Sequence, residues 1–250
     1  MMYLRTNTDG GLMKFLSIIV PAYNEEKRLP ETLKKIHKYL ARRKFRFEIL
    51  VVDDGSTDHT TKSAVSVKGL KVKVIKNRTN RGKGFSINRG IKKAKGDIIL
   101  FTDADLSTPI LFFDNFLKLH NSGIDVVIAS RAVKGSRKKI KQPFYRDLGG
   151  KIFNLFVKVI TGLMLNDTQC GFKSFTKKAA KNIFSRQTIF DFGFDAEILF
   201  ITRQLGYSVK ESPVDWYDSP ATKVRVFKDT LKMVSGLLII RFNQLRGLYR

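Results

Sequence analysis

Residues 96–109, GDIILFTDADLSTP, run an apolar segment straight into two aspartates separated by one residue. GDIILF reads as a buried strand, so Asp103 and Asp105 arrive where burial stops. In an extended backbone residues i and i+2 point to the same face. The pair is therefore expected to hold two like charges side by side at the mouth of a sheet. A hard divalent cation bound by oxygen ligands relieves that repulsion. The alternative is one capping and one structural aspartate, and a D-x-D alone does not choose between them.

The flanking sequence supplies the sheet. FLSIIV (15–20), RFEILVVD (46–53), KVKVIKN (71–77), DIILFTD (97–103) and DVVIAS (125–130) read as strands, separated by helical patterns such as ETLKKIHKYLARR (31–43). Alternating strand and helix imply an α/β fold with a mostly parallel central sheet covered on both faces. Ligands in such sheets bind beyond the carboxyl ends of the strands. The loops 21–28, 53–58, 103–109 and 130–137 all fall there. After Ser130 a basic segment, RAVKGSRKKIKQPFYR, leads into an amphipathic helix expected over 144–165. DTQCGFK (167–173) reads as a polar loop, 191–206 as a helix, SVKESPVDWY (208–217) as a strand and 225–250 as an amphipathic helical tail.

With 43% hydrophobic residues among 250, the chain builds a core and is not disordered. Its net charge of +25, from 47 Lys and Arg against 22 Asp and Glu, favours an anionic partner without saying which. One cysteine, Cys170, forms no internal disulfide, so no oxidising compartment is required. The N-terminal residues lack the apolar core of a signal peptide. No run reaches the length of a transmembrane helix; the nearest, 152–165, is short and carries Lys158.

Several other groups carry candidate chemistry. Asp53 and Asp54 in VVDDGSTD are candidates to bind a base or ribose, and Asp54, Ser56 and Thr57 are candidates to cap the next helix; the two readings are compatible. NRGKG (80–84) suits an anion at a helix N-terminus, or is a plain glycine turn. Arg131, Lys134, Arg137, Lys138, Lys139, Lys141 and Arg146 form a basic region that either stays solvated or grips a phosphate at a membrane surface. His37, His59 and His120 lack metal-ligand spacing, and Cys170 reads as structural. Asp167 sits in a polar loop, whereas Asp195 and Glu197 read as helix-capping acids.

Taken together, IIVPAYNEEKRL, ILVVDDGSTDHT, NRGKGFSINRGI, GDIILFTDADLSTP and ASRAVKGS resemble the family 2 glycosyltransferases, which have the nucleotide-sugar-binding GT-A fold. The resemblance spans roughly residues 16–223. DTQCGFKSFTKKAA, FDFGFDAEILFI and KESPVDW resemble the dolichyl-phosphate β-glucosyltransferase branch, with dolichyl-phosphate mannose synthases the next nearest. It implies a GT-A domain over 15–223, followed by a C-terminal amphipathic helix over 225–250. It also implies a nucleoside-diphosphate sugar donor, with glucose from UDP-glucose favoured over mannose from GDP-mannose, and a polyprenyl-phosphate acceptor. By position, Pro21, Tyr23 and Glu25 with Asp53 and Asp54 would hold the nucleoside, and Lys83 would lie on the donor side. Asp103 and Asp105 would bind Mg²⁺ or Mn²⁺ bridging the pyrophosphate. Arg131 and Arg146 would meet the acceptor phosphate, Asp167 would position the acceptor or take a residual proton, and Lys223 would close over the donor. Mannose synthases often carry Gln where this chain has Ser107, and many relatives carry transmembrane helices.

With no spanning segment, the helices at 144–165 and 225–250 are expected to bind an anionic membrane surface peripherally, at its cytoplasmic face. Leu231, Val234, Leu237, Leu238 and Leu245, with Phe144, Phe153, Phe156 and Val157, are the apolar residues expected to do so. A basic nucleic-acid-binding protein is the rival of another class, but acidic loops at the sheet edge would repel a phosphate backbone, so no nucleic acid is expected. A haloacid-dehalogenase-type phosphatase also uses D-x-D, normally on the first strand. Here the pair ends the fourth, and Ser107 stands where that family has threonine.

Overall fold

The computed structural model describes residues 15–43, 46–140, 144–218 and 226–250, with side chains for all of these except 144–146 and 226–231. The expected strands form as β1 (Phe15–Ala22), β2 (Arg46–Asp53), β3 (Val72–Lys76), β4 (Ile98–Thr102) and β5 (Val126–Ser130). Helices α1 (Leu29–Ala41), α2 (Thr60–Val65), α3 (Lys83–Lys93) and α4 (Phe113–Asn121) fill the connections. Two further strands, β7 (Phe172–Thr176) and β8 (Val209–Pro213), complete a seven-stranded sheet in the order β3-β2-β1-β4-β7-β5-β8. β7 runs antiparallel to both β4 and β5, and the other pairings are parallel. A separate two-stranded ribbon joins β6 (Arg137–Ile140) to β9 (Asp215–Tyr217).

Alternation along β1 shows how the sheet divides the core. Ile18 and Val20 face one cluster with Leu33 and Ile36 of α1 and Phe113 and Phe116 of α4. Ile19 faces the other, with Ile87 and Ile91 of α3. That second face is also covered by α5 (Phe144–Thr161), α6 (Lys177–Ser185), α7 (Phe194–Gln204) and α8 (Val226–Leu245).

Two expectations need correction. The polar loop expected over 167–173 gives way at Phe172 to β7, which carries Lys173 inside the sheet. Lys173 is fully buried and contacts Asp195 of α7, an ion pair that permits a lysine inside a sheet. The helix expected over 144–165 ends at Thr161, because Gly162 takes a left-handed φ of +69° that terminates it.

The apolar faces are also redistributed. Phe153 and Val157 of α5 and Leu237 of α8 belong to the core rather than to a free face. Phe156 of α5 and Leu238 and Leu245 of α8 are exposed as expected, and beside them Ile152, Leu155 and Val159 of α5 and Ile239 and Phe242 of α8 are exposed as well. Both helices are apolar on nearly every side, so each packs one stripe on the sheet and leaves another outside. Phe144 and Leu231 lie outside the residues with described side chains. Among the described residues no helix is long and apolar enough to cross a membrane.

Candidate functional site

A cavity of about 420 Å³ opens at the carboxyl ends of β1, β2 and β4. β1 ends in Pro21 and Ala22, and Tyr23 and Glu25 follow in the loop. Asp54 reaches the cavity from the end of β2, Lys83 from the first position of α3, and Asp103 and Asp105 from the loop after β4. These expected donor-side residues are thus brought together, as a parallel sheet requires.

The aspartate pair is not built as the sequence suggested. β4 stops at Thr102, and Asp103–Leu106 form a turn closed by the Leu106 N–H donating to the Asp103 carbonyl at 3.1 Å. Leu106 takes a φ of +51°, uncommon for a residue with a side chain. A turn, not an extended strand, therefore presents both carboxylates to the cavity. Burial, then repulsion from Asp103, raises the pKa of Asp105 above the usual carboxylate range. Ser107 donates to Asp105 Oδ1 from its N–H at 3.1 Å and its hydroxyl at 3.0 Å.

Cations surround the pair. Lys83 Nζ contacts Asp103 Oδ1, and Arg28 Nη1 lies 3.7 Å from Asp105 Oδ2. Burial works against the charge of Lys83, but Asp103, Asp195 and Asp105 more than compensate and raise its pKa. Asp195, also buried, faces Lys173 and feels Lys83, while desolvation keeps its own pKa raised. Glu25 is held by Arg28 through two hydrogen bonds of 2.6 and 2.7 Å.

This donor set fits a divalent cation. Two carboxylates in mutual repulsion offer hard oxygen ligands, and Mg²⁺ commonly takes one or two carboxylates with substrate phosphates and water completing its shell. Among the described residues no third His, Cys, Asp or Glu joins them in a metal-ligating group.

Asp54, Ser56 and Thr57 do not cap α2, whose N-cap residue is His59 with no side-chain capping bond. Asp53 accepts from the Ser56 N–H at 2.9 Å and the Thr61 hydroxyl at 2.5 Å, which fixes the turn and the start of α2. It does not line the cavity. Asp54 accepts from Asn77 Nδ2 at 2.6 Å and from the N–H groups of Arg81 and Gly82 at 3.0 and 2.9 Å. It thereby ties the end of β2 to the loop that opens α3.

Arg131 and Asp167 form a second centre beside the cavity. Because β7 is antiparallel, its entry loop, residues 167–171, arrives at the same sheet edge as the ends of β4 and β5. Asp167 accepts from the Arg131 N–H at 2.9 Å, Nε at 2.6 Å and Nη2 at 2.9 Å. The guanidinium also lies 5.2 Å from the Trp216 ring centroid. Burial pushes the Asp167 pKa up, and Arg131 more than reverses this, leaving it below the usual range. Both Asp167 oxygens are engaged by Arg131, at the edge where the sequence expects the acceptor side. The Arg146 side chain and Lys223 lie outside the described residues.

Sequence reasoning missed Arg28, Asp191, Phe192 and Lys232, which also line the cavity. Arg28 was available as the cation of the first strand-end loop. Lys232, on α8, had no local signal. Asp195 and Lys173 were missed because only the fold reveals that they meet.

The sequence model described as glycosyl transferase family 2 matches residues 17–184. The chain belongs to this family. As a family 2 glycosyltransferase it is an enzyme, and its relatives sharpen the comparison. It is 34% identical to the Dictyostelium discoideum dolichyl-phosphate β-glucosyltransferase, over 94% of this chain and 76% of that protein. The Homo sapiens protein of the same name is 35% identical, over 95% of this chain and 78% of that one. Among solved structures, Mycobacterium tuberculosis glucosyl-3-phosphoglycerate synthase aligns with a TM-score of 0.68 at 19% identity, covering 91% of this chain and 80% of that one. A second structure of that synthase, in complex with Mn²⁺, UDP and glucosyl-3-phosphoglycerate, gives 0.67 at 17% identity, covering 91% and 80%. The expected GT-A fold is borne out.

Proposed function

We propose that this glycosyltransferase moves glucose from UDP-glucose to dolichyl phosphate or a related polyprenyl phosphate, inverting the anomeric centre. The relatives' shared name supports glucose as the sugar and dolichyl phosphate as the acceptor. The observation that carries the reading is the convergence of Tyr23, Asp54, Lys83, Asp103 and Asp105 on one cavity at the sheet's carboxyl edge.

Asp103 and Asp105 would hold Mg²⁺ or Mn²⁺, and such an ion, when bound, neutralises charge developing on the departing nucleoside diphosphate. Lys83 and Arg28 add positive charge over the donor phosphates, while Pro21, Tyr23, Glu25 and Asp54 form the nucleoside end. Asp53 serves by holding the turn that presents Asp54. Arg131, fixed by Asp167 and Trp216, presents its guanidinium to the acceptor phosphate. Arg146 and Lys223 keep the roles implied by resemblance. A phosphate acceptor is already ionised near neutral pH, so its oxygen attacks without a strong general base. Direct attack on an α-linked donor yields a β-linked product.

The exposed stripes of α5 and α8 support peripheral binding to an anionic membrane, at the cytoplasmic face. Lys232 joins this surface to the donor cavity, since it lies on α8 and lines the cavity. The test is a panel of UDP-glucose, GDP-mannose and UDP-N-acetylhexosamines with dolichyl phosphate, with and without chelator. Divalent-dependent transfer from UDP-glucose is expected. Preference for GDP-mannose would move the chain to the mannose synthases.

A further inference from the structure

Asp103 has little freedom to share its oxygens. A Cβ added at Gly171 would lie 1.9 Å from Oδ2, so that oxygen faces the Gly171 backbone. Oδ1 is the atom that Lys83 Nζ contacts. Lys83 is itself held in place: it follows Gly82, whose φ is +96° and whose added Cβ would lie 2.5 Å from the Phe190 carbonyl oxygen. The Lys83 ammonium thus occupies the Asp103 oxygen that would be left for a divalent cation.

Resting on the reading of Asp103 and Asp105 as metal ligands, we propose that Lys83 competes with the divalent cation for Asp103 Oδ1 and transfers to the donor pyrophosphate when both bind. Lys83 lines the donor cavity, so an anionic donor can receive its ammonium there. Arg28 is less suited to this exchange, because Glu25 holds its guanidinium through two hydrogen bonds. A cation arriving alone must displace Lys83 from its carboxylate with no new anion to take it. A cation arriving with a nucleoside diphosphate meets no such penalty. Lys83 thereby strengthens the coupling between cation and nucleotide, and by linkage each ligand tightens the other equally.

The experiment is calorimetric titration of Mn²⁺ into wild type, Lys83→Met, Lys83→Arg and Asp105→Asn, with and without UDP, each checked by thermal melting. Wild type is expected to bind Mn²⁺ more tightly with UDP, by about 5–150-fold. Lys83→Met should bind Mn²⁺ alone several-fold tighter than wild type and gain less from UDP, whereas Lys83→Arg should behave as wild type. Should Lys83→Met melt below the assay temperature, Lys83→Gln is read in the same way. Mn²⁺ binding to the neutral variant that is no tighter than to wild type overturns the competition while leaving the metal site intact. Absence of Mn²⁺ binding to wild type, with and without UDP, overturns the metal reading and the competition with it.

Discussion

Gly171 has no room for a side chain, because a Cβ there would collide with the Asp103 carboxylate. Gly171→Ala is expected to displace Asp103 and lower turnover by about 10²-fold, the scale of a 1 Å misplacement at a reacting centre. Mn²⁺ titration should show weakened binding while circular dichroism stays native. Asp167 gives a prediction on stability. Removing one partner of a buried ion pair costs about 3–5 kcal/mol, so Asp167→Asn should lower urea stability at pH 7 by up to that amount. The sign with pH follows from the depressed pKa of Asp167. Its contribution is fully present above the ordinary carboxylate value of about 3.9 and is lost as pH falls through the lower folded value. The gap between wild type and variant should therefore narrow in acid. Of these residues, Asp103 was legible from its place at the end of a strand. Gly171 was not, because nothing local says that residue 171 will face residue 103.

The parallel strands were readable because β1, β2, β4 and β5 are short apolar runs ending in polar loops. β7 was not, since a fully buried lysine interrupts a five-residue strand and its partner, Asp195, comes from a later helix. Helices α5 and α8 were legible as helices, and their outward stripes only in part: Phe156, Leu238 and Leu245 are exposed as expected, whereas Phe153, Val157 and Leu237 are buried. A segment apolar on nearly all sides does not say which side meets the sheet. Leu237 is 1% exposed and Leu245 83% exposed, though both sat in the same expected face. Leu237→Ala should therefore cost about 2–5 kcal/mol by urea denaturation. Leu245→Ser and Phe242→Ser should each change stability by no more than about 0.5 kcal/mol. Flotation with anionic liposomes at low salt should show the reverse ranking, with binding reduced by the two exposed substitutions. Unchanged flotation in a Phe242→Ser, Leu245→Ser double variant would assign this face to something other than lipid.

The whole chain joins three charge regimes: the acidic pair Asp103 and Asp105, the cations beside it and a net charge of +25. The charge alone pointed only to an anion; the cavity at the sheet edge, where Asp54, Lys83 and Asp103 meet, is where the proposed function places a phosphate-bearing donor. The mixed sheet matters for the same reason, since an antiparallel β7 brings Arg131 and Asp167 to the edge that holds the donor cavity. In the proposed function, transfer depends on two adjacent centres, one for the nucleotide sugar and one for the acceptor phosphate. The most direct test is incubation of the protein with UDP-glucose, dolichyl phosphate and Mn²⁺, with nuclear magnetic resonance of the lipid product. The expected result is β-linked glucosyl phosphate, formed by wild type and absent both with chelator and in Asp105→Asn. An α-linked product, or undiminished transfer in Asp105→Asn, would contradict it.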